Sequence, residues 1–206
     1  MYYVLIGIIL YFTVYKPKYL ARCILYTYGW KGIPQRLRDI FDHPKLVLIY
    51  PHTSYWDTVY LVLHRLAYPK LLKNLTFLIG PYFLRIPVLG CFLRSVGGIA
   101  ATCVHTKNGG RTQEIIDLLN RREEFQLMIS PKGTTRKSEW RSGYYHITEG
   151  THAVITVVGF DYQRRRIMIY DPQNIDMPLL PQELLEKWLQ DRMRELPQLN
   201  PQNVEY

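Results

Sequence analysis

Two short stretches of this chain carry side chains suited to chemistry. The first is Tyr50-Pro51-His52-Thr53-Ser54-Tyr55-Trp56-Asp57-Thr58. An imidazole near a carboxylate can act as a general base, because the carboxylate holds one ring tautomer while the other nitrogen takes a proton. Inside one regular helix, five residues would place His52 and Asp57 roughly 140° apart around the axis. They can meet only if His52 stays on a turn while Asp57 enters the first helical turn. A plainer reading uses the same residues. Ser54-x-x-Asp57 is also a capping box, in which both side chains satisfy free backbone N–H groups at a helix start. His52 is then only a turn residue. Spacing alone leaves both readings open.

The second stretch is Ser130-Pro131-Lys132-Gly133-Thr134-Thr135-Arg136-Lys137. Gly133 lets backbone approach a ligand, Thr134 and Thr135 supply hydroxyls, and Lys132, Arg136 and Lys137 supply positive charge. Backbone N–H groups with such cations make a phosphate cradle. The alternative is a solvated surface loop. The glycine spacing is not that of a Walker loop, and no G-x-S-x-G nucleophile elbow is present.

The surrounding pattern suggests how these loops are held. Leu46–Ile49 reads as a buried strand and Val59–Leu66 as a helix, so His52 falls on a strand-to-helix turn. Leu75–Ile79, Gly97–Ala101, Phe125–Ile129, Ala153–Gly159 and Ile167–Tyr170 read as further strands. Helical spacing covers Arg111–Arg122, a short stretch near Tyr144–Glu149, and Pro181–Leu196; Pro81–Arg94 is mixed, broken by Pro87 and Gly90. This alternation predicts an α/β fold, a single largely parallel sheet flanked by helices. Loops at the carboxyl ends of strands are the usual ligand sites of such sheets.

Ahead of that unit, Tyr2–Tyr15 is almost wholly apolar and uncharged, and it ends at Lys16-Pro17-Lys18. Fourteen helical residues span about 21 Å, short of a ~30 Å hydrocarbon core. A signal peptide, a buried core helix and a membrane anchor extended by Tyr19–Tyr28 compete. Tyrosines at both edges and lysines beyond favour the anchor. The expected organisation is therefore an anchor over 1–28, a linker over 29–42, a catalytic unit over 43–170, and a C-terminal helix and tail over 171–206.

Bulk properties narrow the function classes. With 206 residues, 48% hydrophobic and 14% aromatic, the chain can bury a real core. Twenty-six Lys and Arg against 17 Asp and Glu leave a net charge of +9, which favours anionic partners. The charges are scattered, with no basic helix or zinc-finger spacing, which argues against nucleic acid. Cys23, Cys91 and Cys103 form no C-x-x-C pair and leave one odd, consistent with free thiols on a reducing side of the cell. The six histidines show no metal-ligand spacing, so no metal site is expected.

His52-x4-Asp57, the segment from Gly80-Pro81 through Pro87-x-x-Gly90 to Gly97-Gly98-Ile99, and Pro131-Lys132-Gly133-Thr134 occur in a recognisable order. That ordered set resembles the glycerolipid acyltransferases that acylate lysophosphatidic acid or glycerol 3-phosphate. Trp140–Ile147 and Gly159-Phe160-Asp161-Tyr162 resemble members of the same family, so the likeness covers about residues 43–170. The resemblance implies a membrane-bound enzyme with a lysophospholipid acceptor, while the free thiols and the basic flank after the first apolar stretch suit a catalytic unit facing the cytosol. The donor would be an acyl thioester, acyl-CoA or an acyl carrier protein, with no further cofactor. His52 would be the general base, Asp57 its orienting acid, and Lys132, Gly133, Thr134, Thr135 and Arg136 the phosphate grip. Three blocks depart from the family pattern. A glutamate and an arginine usual in the third block are Lys132 and Thr135 here, Cys103 falls where an arginine is usual, and Val154–Val157 lacks the usual proline. Relocated phosphate-binding charge is one explanation. Another is a non-catalytic membrane protein that keeps the fold and binds phospholipid or acyl chains. Thioester hydrolysis is a third reading. Oligomeric state has no sequence signal.

Overall fold

The computed structural model describes residues 17–101, 110–134, 139–175 and 177–197. Most of the expected anchor (1–16), together with Cys103, Thr135 and Arg136, lies outside the described residues. In chain order the elements are α1 (Pro17–Thr27), α2 (Gln35–Phe41), β1 (Lys45–Ile49), α3 (Tyr55–Ala67), β2 (Leu75–Ile79), α4 (Pro81–Arg85) and α5 (Leu89–Ser95). Then follow β3 (Gly98–Ala100), α6 (Gly110–Asn120), β4 (Phe125–Ile129), α7 (Gly143–Thr151), β5 (Val154–Asp161), β6 (Arg166–Ile169) and α8 (Gln182–Arg194).

The apolar runs become strands because both faces of the sheet are covered. Successive strand side chains point to opposite faces. Leu46 and Leu48 of β1 pack into one core with α1, α2 and α3, while Val47 and Ile49 pack into a second core with α6, α7 and α8. The strand order is β3-β2-β4-β1-β5-β6. The first five strands run parallel, and β6 pairs antiparallel with β5. The fold is thus α/β with a six-stranded, mostly parallel mixed sheet flanked by helices.

That order creates a crevice. β1 and β4 are neighbours, paired from Lys45 against Phe125 to Ile49 against Ile129. The chain leaving β1 passes beyond β4 to reach β2, whereas the chain leaving β4 passes beyond β1 to reach β5. Connections that depart in opposite directions leave a gap above the carboxyl ends of the two strands. The His52 turn follows β1, and the Lys132 loop follows β4.

Several boundaries shift for local reasons. α3 begins at Tyr55, earlier than its apolar spacing predicts, because the Ser54 cap sets the start. The mixed 81–94 stretch divides into α4 and α5, since Pro87 has no N–H to continue a helix. Gly97 turns the chain into β3 at φ 102°, and a Cβ there would lie 2.2 Å from the Leu75 carbonyl oxygen. Residues 29–42, read as a connecting segment, carry α2 and bury Trp30, Ile33, Leu37, Ile40 and Phe41.

The N-terminal helix needs correction. α1 has 11 residues, about 16 Å of helix. Ala21 and Leu25 are buried, α1 packs on α3, and Arg22 Nε donates to the Ala67 carbonyl at 2.9 Å. Among the described residues no helix is long and apolar enough to cross a membrane. The extension of an anchor through Tyr19–Tyr28 therefore finds no support: one side of this short helix is spent on the core.

Candidate active site

The end of β1 sets the first part of the site. Tyr50 N–H still donates to Ile129 O at 3.0 Å, and the chain then turns through Pro51, His52 and Thr53 into α3. Asp57 is 2% exposed and sits in the first turn of α3. Its Oδ2 accepts from Thr53 N–H and Ser54 N–H, each at 2.9 Å. Ser54 Oγ accepts from Trp56 N–H at 3.2 Å, completing the capping box. The same Oδ2 lies 3.4 Å from His52 Nδ1. That buried nitrogen makes no hydrogen bond, and the Asp57 carboxylate faces it just beyond bonding range. The two readings of this stretch are therefore compatible. One carboxylate caps the helix and also faces the imidazole.

The other carboxylate oxygen has a partner from far along the chain. Tyr162 Oη donates to Asp57 Oδ1 at 2.5 Å. Burial pushes the Tyr162 phenol well above its ordinary pKa, and the Asp57 charge pushes it further, so it remains a donor. Tyr50 is raised for the same two reasons, burial first. Tyr162 follows β5 and is held in an aromatic group: its ring lies 5.7 Å from Trp30 and 5.8 Å from Tyr60. The β5–β6 turn after it is tied by Asp161, whose carboxylate accepts from Arg164 N–H at 2.8 Å and Arg166 Nε at 3.2 Å. Burial raises the Asp161 carboxyl, but these bonds and the Arg164 charge outweigh it and the net shift is downward.

The basic loop comes to the same place. Tyr50, Pro51, His52 and Thr53 line a pocket with Ser130, Pro131, Lys132, Trp140 and Met193. Lys132 is buried, at 5% exposed, which is unusual for a lysine on a loop. Gly133 N–H donates to Ser130 O at 3.0 Å, and Arg141 N–H donates to Pro131 O at 3.1 Å, so the loop is braced from both sides. Gly133 adopts φ 65°, where a side chain is strained. Gly133 itself is exposed and Thr134 half-buried. Thus His52, Asp57 and Lys132 are brought together. Thr135 and Arg136 fall outside the described residues.

Tyr162, Trp140 and Met193 were not among the candidate site residues read from the sequence. Tyr162 and Trp140 had a signal, since each lies in a family-like stretch, Gly159–Tyr162 and Trp140–Ile147, without a role attached to it. Met193 had none, since it reaches the pocket from α8. Among the described residues no three His, Cys, Asp or Glu side chains group as metal ligands would.

A family model described as Acyltransferase matches residues 20–161, from within α1 to the end of β5. No curated protein and no solved structure matches the chain. The matched span covers well over half of the 206 residues and contains the His52 turn, the Lys132 loop and five of the sheet's strands. On that match, the chain belongs to the acyltransferase family, the glycerolipid acyltransferases.

Proposed function

We propose that this protein transfers a fatty acyl group from an acyl thioester to the hydroxyl of a lysophospholipid such as lysophosphatidic acid. Family membership supports acyl transfer in general. One observation carries the finer reading: His52, backed by buried Asp57, and the cation Lys132 line one pocket above the β1–β4 crevice.

Nδ1 of His52 faces Asp57, so Nε2 is the proton acceptor. It takes the proton of the acceptor hydroxyl as that oxygen attacks the thioester carbonyl. The C–O bond forms, the C–S bond breaks, and the proton passes from the imidazolium to the departing thiolate. Asp57 steadies the imidazolium, the role a carboxylate plays in a Ser-His-Asp triad. Its 3.4 Å separation from Nδ1 would shorten as the ring becomes charged, since catalytic hydrogen bonds often tighten only with substrate in place. Lys132, with Gly133, Thr134, Thr135 and Arg136, grips the acceptor phosphate. Holding both substrates against one base supplies rate through orientation. The donor is acyl-CoA or an acyl carrier protein, and the catalytic unit works at the cytosolic face of a membrane.

A second reading, a phospholipid-binding member without turnover, draws on Lys132 and Thr135 at positions where the family pattern has glutamate and arginine. One assay separates them. Membranes carrying the parent protein, His52→Ala or Asp57→Asn are given labelled acyl-CoA and a panel of lysophospholipids. Labelled phospholipid from the parent and none from His52→Ala supports transfer. Free fatty acid alone would mean hydrolysis, and equal background in all three would leave the binding reading.

A further inference from the structure

The helix pair α4–α5 is apolar on both sides. Its inner side is accounted for: Leu84, Gly90 and Leu93 are buried, and a Cβ on Gly90 would lie 2.3 Å from the Leu84 carbonyl oxygen. Arg94 Nη2 donates to that same oxygen at 2.9 Å, clamping the pair. The outer side carries Tyr82, Val88, Leu89 and Phe92, with Tyr82 72% and Val88 83% exposed. A helix that is hydrophobic all round belongs in an apolar surround on every side. Here one side has no cover among the described residues.

The tip is also strained. Val88 has φ 63° and ψ −57°, and Leu89 N–H donates to Pro87 O at 2.6 Å. That is a γ-turn of the rare hand, built on a β-branched residue that disfavours positive φ. A strained backbone that thrusts an aliphatic side chain into the open points to use of that side chain.

Charge identifies what covers this face. The charged residues of the helix pair itself are Arg85 and Arg94. Exposed apolar side chains whose charged companions on the same two helices are both cations suit an anionic lipid surface. Position agrees. α4 starts one residue past the carboxyl end of β2, on the sheet edge that carries His52, and β2 lies two strands from β1, roughly 10 Å away. Trp56 and Tyr55 are exposed on the same edge, and such amphipathic rings favour the headgroup level.

We infer that the outer face of α4–α5, with Val88 at its tip, inserts into the surface of an anionic bilayer. It thereby sets the mouth of the His52–Lys132 pocket against the lipid. The surface stands on exposure and charge and does not require turnover.

Cys91 is exposed, a free thiol on α5, and three residues from Val88, so it reports on this face directly. The full chain, with Cys23→Ser and Cys103→Ser, is labelled at Cys91 with a polarity-sensitive fluorophore. It is mixed with vesicles of phosphatidylcholine, or of phosphatidylcholine and phosphatidylglycerol. The label should shift to the blue on the anionic vesicles, less so at high salt, and be quenched by brominated acyl chains. Val88→Gly with Phe92→Gln should lower vesicle partition about ten-fold. Its thermal midpoint, read alongside, should hold, because glycine relieves the turn. Acyl transfer to detergent-dispersed acceptor, read in the same variant, should be unchanged, which separates this inference from the transfer reading. A label that stays in water while the protein pellets with anionic vesicles overturns the proposal. So does a blue shift that follows protein concentration without vesicles, which would assign the face to a second copy of the chain.

Discussion

The Tyr162 phenol donates to Asp57 Oδ1 at 2.5 Å across 105 residues of chain, and so joins the β5–β6 hairpin to the turn that carries His52. With Thr53 and Ser54 N–H on Oδ2, the carboxylate is held at both oxygens, and its plane cannot rotate away from the imidazole.

Tyr162→Phe keeps the ring in its aromatic group and deletes only that bond. A hydrogen bond to a charged group contributes about 1.5–3 kcal/mol. If half of that is expressed in the transition state, kcat falls about four- to thirteen-fold with KM for the acceptor unchanged. Steady-state kinetics on the folded variant check this. An unchanged kcat would show that the backbone N–H groups alone orient Asp57.

Because Asp57 also caps α3, its variants should separate stability from chemistry. Asp57→Asn can still accept the capping N–H bonds but cannot steady an imidazolium; transfer should drop by about a thousand-fold with a near-parental thermal midpoint. Asp57→Ala removes the cap and strands the Tyr162 hydroxyl, costing about 2 kcal/mol of stability besides. His52→Ala should lose transfer and keep stability. Thermal melts beside single-turnover assays decide the matter; equal melting of both Asp57 variants would count against the dual role.

Lys132→Gln should raise KM for a phosphate-bearing acceptor about ten-fold or more while sparing kcat, since a charge-assisted bond is lost from binding. An acceptor without phosphate should barely notice. Lys132→Glu should be worse still. Tighter phosphate-acceptor binding by Lys132→Glu would refute the proposed grip.

His64 predicts an acid-side loss of stability unrelated to the site. Its Nδ1 donates to Tyr60 O at 2.7 Å, and Nε2 is buried without a hydrogen-bond partner. Burial lowers its pKa from 6.5 to about 4, so it stays neutral in the fold. Between those values the unfolded chain binds the proton and the fold does not. Stability is therefore full above about pH 6.5 and is lost progressively toward pH 4, by about 3 kcal/mol in all. Urea melts across that range measure the slope, and His64→Phe should flatten it.

Much of this was legible locally. Leu75–Ile79 and Phe125–Ile129 are strands as their apolar runs predict, and Pro87 breaks 81–94 into two helices as a missing N–H requires. The position of His52 on a strand-to-helix turn followed from neighbouring residues alone. Less legible was α1. Its apolar run reads equally well as lipid-facing or core-facing, and only the packing of Ala21 and Leu25 against α3 tells them apart. The choice between cap and dyad at Asp57 was undecidable from spacing, because a carboxylate has two oxygens and four acceptor positions, enough for both.

The residue types of the site, the turns that present them and the alternating pattern that makes an α/β sheet are written along the chain, since these depend on forces acting over a few residues. Folding in three dimensions sets β1 beside β4, brings Tyr162 and Met193 from the far end of the chain, and buries Lys132 beside His52. Strand order is set by how helices cover both faces of the sheet at once, a condition on the whole chain that no local window contains.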